Sequence, residues 1–299
     1  MSSKIKLLLL AVFITQSGIL PVCFAQELPE GFPDVSSPMK ASDLQDEQTF
    51  GDYKIQIYRN MRSGFSELRV LKKGLEVFSQ GGFVFKIGLI NDDIPGNKLV
   101  KVGNDINKDG QPDLVVSEWS GGAHCCIDYY VFSLGDQVKQ VGFIESKDGD
   151  GEFVDVDNDG ILEFIGNDWT FAYWNASFAG SPAPQVILEY KNAGYQLTLK
   201  KMRKPLDEIY YKNFLKNTTL SKINATMNAK SGWSNGEVSV PPEVWGYMLD
   251  LIYSGHSQEA FTLIDTIWPK GVKGKEDFLK DFKGQLSQSP FWKDIKSVL

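Results

Sequence analysis

The sequence predicts an all-β domain over residues 51–203, followed by a smaller all-α domain over 204–299. Three observations predict it. From Gly51 to about Lys201, apolar and polar residues alternate in short runs broken by Gly, Asp and Asn, the period of strands with one buried face. After Pro205, apolar residues recur three and four apart, which is the helical period. Hydrophobic residues make up 42% of the chain and include seven tryptophans, enough apolar side chain for a packed core.

The chain opens with Lys4 and Lys6, then the apolar run LLLLAVFI, then Cys-Phe-Ala at 23–25. This is the pattern of a secretory signal peptide over residues 1–25, its apolar stretch shorter than the roughly 18 residues of a membrane span. The expected location is therefore the periplasm or the extracellular space. Anchoring through a lipidated Cys23 is the weaker reading, because Leu20-Pro21-Val22 lacks the small residues that precede a lipoprotein cysteine. Residues 26–50 hold several prolines and read as an extended leader.

The runs YKIQIYR, ELRVL, LEVFS, FVFKIGLI, KLVKVG, DLVVSEW, IDYYVFSL, VKQVGFIE, FVDV, LEFIG, QVILEY and YQLTLK read as about a dozen strands. DEIYYKNFLKN, EVWGYMLDLIYSG, SQEAFTLIDTIW and KEDFLKDFKGQL read as helices, with a loop near 228–241. The pair around Gly255-His256-Ser257 is weakly similar to one tetratricopeptide hairpin, and His256 reads as its turn residue.

The strongest chemical signal is a repeat. Residues 105–113 read DINKDGQPD and residues 155–163 read DVDNDGILE, both obeying D-x-[DN]-x-D-G-x-x-[DE]. Calcium takes six to eight oxygen ligands in flexible geometry, and acidic side chains at alternate positions converge on one ion as a loop curls. The expected ligands are Asp105, Asn107, Asp109, the Gln111 carbonyl and Asp113 in the first loop. In the second they are Asp155, Asp157, Asp159, the Ile161 carbonyl and Glu163. Gly110 and Gly160 supply the sharp turn. An EF-hand needs Glu at position 12 and flanking helices, whereas this chain has Val116 and Gly166 there and strands on either side.

With these loops set between strands, the chain resembles the FG-GAP and VCBS repeats of integrin-like β-propellers over roughly Leu99 to Asn167. The resemblance implies structural calcium and propeller-like blades. A dozen strands at four per blade make three blades, fewer than the four to eight of closed propellers, so the expectation is either an incomplete propeller capped by the C-terminal helices or another all-β arrangement of the repeats. The segments VVSEWSGGAHCCIDYYVFSL and FAYWNASFAGSPAPQVILEY also resemble those of a group of exported bacterial proteins, a resemblance that implies no mechanism.

His124, Cys125 and Cys126 stand together in GGAHCC. In an oxidising compartment, Cys125 and Cys126 are expected to form a disulfide between neighbours. Two packed free thiols, or a metal or redox pair with His124, are the alternatives. In WTFAYW, Trp169, Phe171 and Tyr173 would share one face of an extended strand and offer a stacking row to a sugar or peptide, or be buried under the helices. Trp119 and Trp174 carry the same two readings.

The net charge of −7 and the lack of a long basic run exclude nucleic acid and anionic membranes as natural partners. No G-x-S-x-G, H-E-x-x-H or phosphate-binding glycine loop occurs. The leading expectation is an exported calcium-binding module without enzymatic activity that meets a protein or glycan partner. The alternative is a cell-envelope enzyme or a thiol-redox protein using Cys125 and Cys126.

Overall fold

A computed structural model describes residues 39–91, 93–122, 125–218 and 232–299, with Cys125 described by its backbone. The expected signal peptide, Cys23 and His124 lie outside the described residues. Twelve strands form three four-stranded antiparallel meanders in chain order. The first holds β1 (Leu44–Phe50), β2 (Tyr53–Arg59), β3 (Ser66–Lys72) and β4 (Leu75–Gly82). The second holds β5 (Val84–Ile87), β6 (Asp113–Gly122), β7 (Cys125–Leu134) and β8 (Val138–Lys147). The third holds β9 (Glu152–Val154), β10 (Glu163–Asn167), β11 (Gln185–Tyr190) and β12 (Tyr195–Leu197). A short hairpin, β13 (Trp233–Ser234) and β14 (Ser239–Val240), lies among the helices that follow.

The alternation in β2 and β3 is that of a sheet wet on one side. Tyr53, Ile55, Ile57, Leu68 and Val70 are buried, while Lys54, Gln56 and Arg69 point outward. Lys73 and Gly74 join β3 to β4 with φ of 53° and 80°, the paired positive values of a two-residue hairpin turn. In β6 the run Asp113-Leu114-Val115-Val116-Ser117 is buried throughout, because the second sheet is covered on both faces. Leu114 and Val116 pack with Phe132 against the first sheet. Val115, Tyr129 and Val131 pack with Phe153 and Phe164 against the third.

Four-stranded meanders are thus the units of the β region, and none of the sheets closes on itself. The helices are α1 (Leu199–Met202), α2 (Glu208–Asn217), α3 (Pro242–Tyr253), α4 (Ser257–Ile267), α5 (Lys275–Leu286) and α6 (Trp292–Ile295). The architecture is all-β with a smaller helical C-terminal part. Its apolar core runs across the expected boundary near 203, since Val186 and Leu188 share one cluster with Trp245, Leu263 and Phe282. Gly255, at φ 92°, turns α3 into α4, and His256 sits in that turn with Nε2 2.8 Å from the Lys204 carbonyl.

Four sequence expectations are corrected. The leader gives way before residue 50, because Leu44–Phe50 pairs with β2 as an exposed edge strand. KLVKVG is no strand: Pro95 and Gly96 open a 3-10 turn over Pro95–Lys98, and the Val100 N–H bonds back to Gly96 O at 3.2 Å. The N–H groups of Leu99 and Val100 pair locally, and Gly103 of the run donates to the carbonyl of the β6 residue Asp113 at 2.8 Å, too little to make a ladder. YQLTLK is strand only to Leu197, and Leu199–Met202 is a helical turn.

WTFAYW is the fourth. The Asp168 carboxylate accepts from the Thr170 N–H at 2.9 Å and caps a 3-10 turn over Trp169–Phe171, and Tyr173 takes φ 60°. The three aromatics therefore share no face. Phe171 is buried beside Phe282 of α5, with ring centroids 5.3 Å apart, while Tyr173 is 60% exposed. Trp169 is half-buried and stacks on Phe178, and Trp174 meets Trp245 edge to face.

Candidate metal centre

The two acidic loops fold on one plan. In the first, the N–H of Gly110 donates to Asp105 Oδ2 at 3.0 Å, that of Gln111 to Asp109 Oδ1 at 2.8 Å, and that of Ile106 to Asp113 Oδ2 at 3.0 Å. In the second, the N–H of Gly160 donates to Asp155 Oδ2 at 2.9 Å, that of Ile161 to Asp159 Oδ1 at 2.8 Å, and that of Val156 to Glu163 Oε2 at 3.0 Å. The fourth position is left-handed in both, with Lys108 at φ 55° and Asn158 at φ 61°, and the sixth is glycine at φ 83° in both. The repeat is one of backbone shape as well as of residues.

The loops lie side by side. The Leu162 N–H donates to the Ile106 carbonyl at 2.8 Å, and the Lys108 ammonium of the first loop donates to the Asp159 carbonyl of the second. Ile106 and Leu162 are both buried beneath them. The first loop leads into β6 and the second into β10, so each final carboxylate, Asp113 or Glu163, is carried on a core strand and is buried.

Their charges are balanced differently. Asp113 is 1% exposed, and no hydrogen bond reaches its Oδ1. Burial pushes its carboxyl up to about 7; the N–H groups of Ile106 and, less, Asn107 hold it down, while Asp109 and Asp105 push it further up. No cation is among these groups. Asn107 is also buried, its Oδ1 accepting from the Asp109 N–H at 2.9 Å while its Nδ2 has no partner.

In the second loop, Glu163 Oε1 accepts from Lys201 Nζ at 2.5 Å. The same ammonium lies 3.0 Å from Asp157, 3.9 Å from Asp159 and 3.5 Å from Glu189. Burial would lower the Lys201 pKa, but the hydrogen bonds to Glu163 and Asp157 and the charges of Glu163 and Glu189 outweigh it, so the net direction is upward. Asp155, Asp157 and Asp159 form the one group of three acidic, His or Cys residues, among the described residues, whose ligand atoms all lie within 4.8 Å of one another. The Lys201 ammonium reaches two of the three, Asp157 and Asp159, while Asp155 accepts from the Asp159 and Gly160 N–H groups.

Sequence reasoning missed Lys201 and Glu189. Lys201 stands just past YQLTLK, the last run read as strand, and nothing local marks it: it reaches the loop because α1 packs beside β11. Cys126 is disulfide-bonded, and its N–H donates to Ser120 Oγ at 2.5 Å. The Cys125 side chain and His124, on which the alternative metal or redox grouping rests, lie outside the described residues.

No protein-family model and no solved structure matches the chain. Over 94 residues it is 33% identical to a probable thylakoid lumen protein of Synechocystis sp.. That match covers 29% of this chain and 27% of the relative, so the chain spans about a quarter of the length of the protein it matches.

Proposed function

We propose that this is an exported calcium-binding protein whose first acidic loop holds the ion through Asp105, Asn107, Asp109, the Gln111 carbonyl and Asp113. The observation that carries this reading is Asp113 Oδ1, a carboxylate oxygen buried on β6 without a partner. A buried carboxylate left without a counter-charge costs several kcal/mol, and a divalent cation seated among these oxygens removes that cost. Calcium there acts as a staple between the turn and β6, in the manner of the FG-GAP and VCBS loops that these residues resemble. Export is supported by the signal-peptide pattern at 1–25 and by the lumenal name of the cyanobacterial relative. Among the described residues no helix is long and apolar enough to cross a membrane.

On this reading the protein is an interaction module stiffened by calcium, with a protein or glycan partner. With a dissociation constant of roughly 10⁻⁴ to 10⁻³ M, common in extracellular modules, calcium at ten to a hundred times that value adds about 1.4–2.7 kcal/mol of stability per site. Differential scanning calorimetry with calcium and with chelator tests it. The melting temperature rises with calcium by roughly 3–11 °C for a protein of this size, and identical curves would sink the proposal.

A further inference from the structure

We propose that Lys201 is the resident cation of the second acidic loop: the two loops share one frame but are neutralised differently, the first by calcium and the second by a tethered ammonium. This rests on the calcium reading of the first loop. The argument begins with the ninth loop position. In both loops one oxygen of that carboxylate caps a backbone N–H, of Ile106 or Val156, and the other is free to face a cation. In the first loop that second oxygen, Asp113 Oδ1, has no partner. In the second, Glu163 Oε1 meets the Lys201 ammonium at 2.5 Å.

The ammonium also reaches the third and fifth positions, Asp157 at 3.0 Å and Asp159 at 3.9 Å. These are the side chains that the loop spacing assigns to a metal. Lys201 is held there by structure, with its side chain 12% exposed. The Thr198 N–H bonds to Ile187 O at 2.9 Å, starting α1 against the third sheet, and Met202 beside Lys201 is buried. The only lysine within the first loop, Lys108, turns away to the Asp159 carbonyl.

Both ammonium groups at this edge therefore serve the second loop. Glu189 adds a further carboxylate at 3.5 Å, outside the loop pattern, which compensates a lysine on β11's side and has no counterpart in the calcium motif. Calcium can enter the second loop only by displacing Lys201, so at millimolar calcium the wild-type chain binds one ion. Removing the ammonium while keeping a polar side chain one atom shorter, by Lys201→Gln, leaves Asp155, Asp157, Asp159 and Glu163 to take a second.

The test is the number of calcium ions bound per full-length chain, by isothermal titration calorimetry and native mass spectrometry. The expected result is one ion for wild type and two for Lys201→Gln. Asp157→Asn added to Lys201→Gln should remove the gained ion, and Asp113→Asn should remove the original one. Two ions in wild type, or one in both proteins with Lys201→Gln folded by circular dichroism, overturns the inference. Lys201→Met, read in parallel, gives the same counts if charge is what matters; if Lys201→Gln fails to fold, that variant decides. No ion in wild type but one in the lysine variant keeps the inference and sinks the calcium reading of the first loop. No ion in either sinks both.

Discussion

Asp168 joins the β region to the helices, and its replacement by Asn measures that join. The carboxylate is 3% exposed. Its Oδ1 accepts from the Thr170 N–H at 2.9 Å and the Thr170 hydroxyl at 2.5 Å; its Oδ2 accepts at 2.5 Å from Tyr253 at the end of α3 and at 2.5 Å from Ser289 beyond α5. Four donors thus converge on two acceptors. Asn offers one acceptor oxygen, so one pair of donors must face an amide NH₂. Hydrogen bonds to charged groups contribute about 1.5–3 kcal/mol each, which puts the loss of two at about 3–6 kcal/mol. Hydroxyls can rotate to accept from the new amide, so the lower end, about 3 kcal/mol, is the expected destabilisation. In a chain of this size that lowers the melting temperature by roughly 6–12 °C. Urea denaturation followed by tryptophan fluorescence reads it, with Tyr253→Phe as the partner in a double-mutant cycle. Tyr253→Phe alone should cost about 1.5–3 kcal/mol, and the two changes together less than their sum because they remove the same bond. A loss for Asp168→Asn below about 1 kcal/mol would refute the reasoning, because it would mean that these buried donors find other partners.

Three more predictions follow from particular residues. Asp128 of β7 stands directly across from Glu118 of β6 and Glu145 of β8, and burial first, then Glu145 and Glu118, push its carboxyl up to about 6. A carboxyl raised on folding binds protons more tightly in the native state, so stability falls as pH rises from about 4 to about 6 and stays reduced above. Asp128→Asn should flatten that part of a pH–stability curve and stabilise the protein at pH 7; an unchanged slope would count against the row. Gly110→Ala should cost about 1–2 kcal/mol for forcing a side chain into the left-handed region, and Gly160→Ala should cost more, because the added methyl would also displace the Lys108 ammonium from the Asp159 carbonyl; thermal denaturation with chelator present reads both. Phe164→Ala should cost about 3–5 kcal/mol, because its buried ring packs with Tyr129 and Phe153 at centroid distances of 5.0 and 5.2 Å; a loss under about 1 kcal/mol would show that the second and third sheets do not share the core described.

Much of the β region was legible because one-sided burial writes period two into a strand, as in YKIQIYR, where Tyr53, Ile55 and Ile57 are buried and the residues between them are not. The helical period after Pro205 was legible for the same reason, and α2 to α5 fall where the spacing placed them. The acidic loops were legible because their turn geometry is local: glycine and alternating carboxylates meet partners within a few residues. KLVKVG misled because Val100 is buried from an irregular segment that leaves Leu99 exposed, where burial does not impose alternation. LQDEQTF was hidden because an exposed edge strand carries no apolar face. WTFAYW was misread because the capping carboxylate of Asp168 lies just outside it. Lys201 could not have been found at all from local pattern: its partners Asp157, Glu163 and Glu189 come from the second loop and β11, and nothing in the Lys200-Lys201 pair after YQLTL distinguishes an ammonium facing four carboxylates from one facing water.

The most direct measurement of the central claim is the calcium-dependent change in melting temperature of wild type against Asp113→Asn. On the proposed reading, in which calcium neutralises the buried Asp113, wild type gains stability with calcium. Without calcium, the variant should melt at or above the temperature of the chelated wild type, because an unpaired buried charge has been removed, and calcium should no longer raise it. A variant that keeps the full calcium-dependent rise, or a wild type that shows none, would contradict the account.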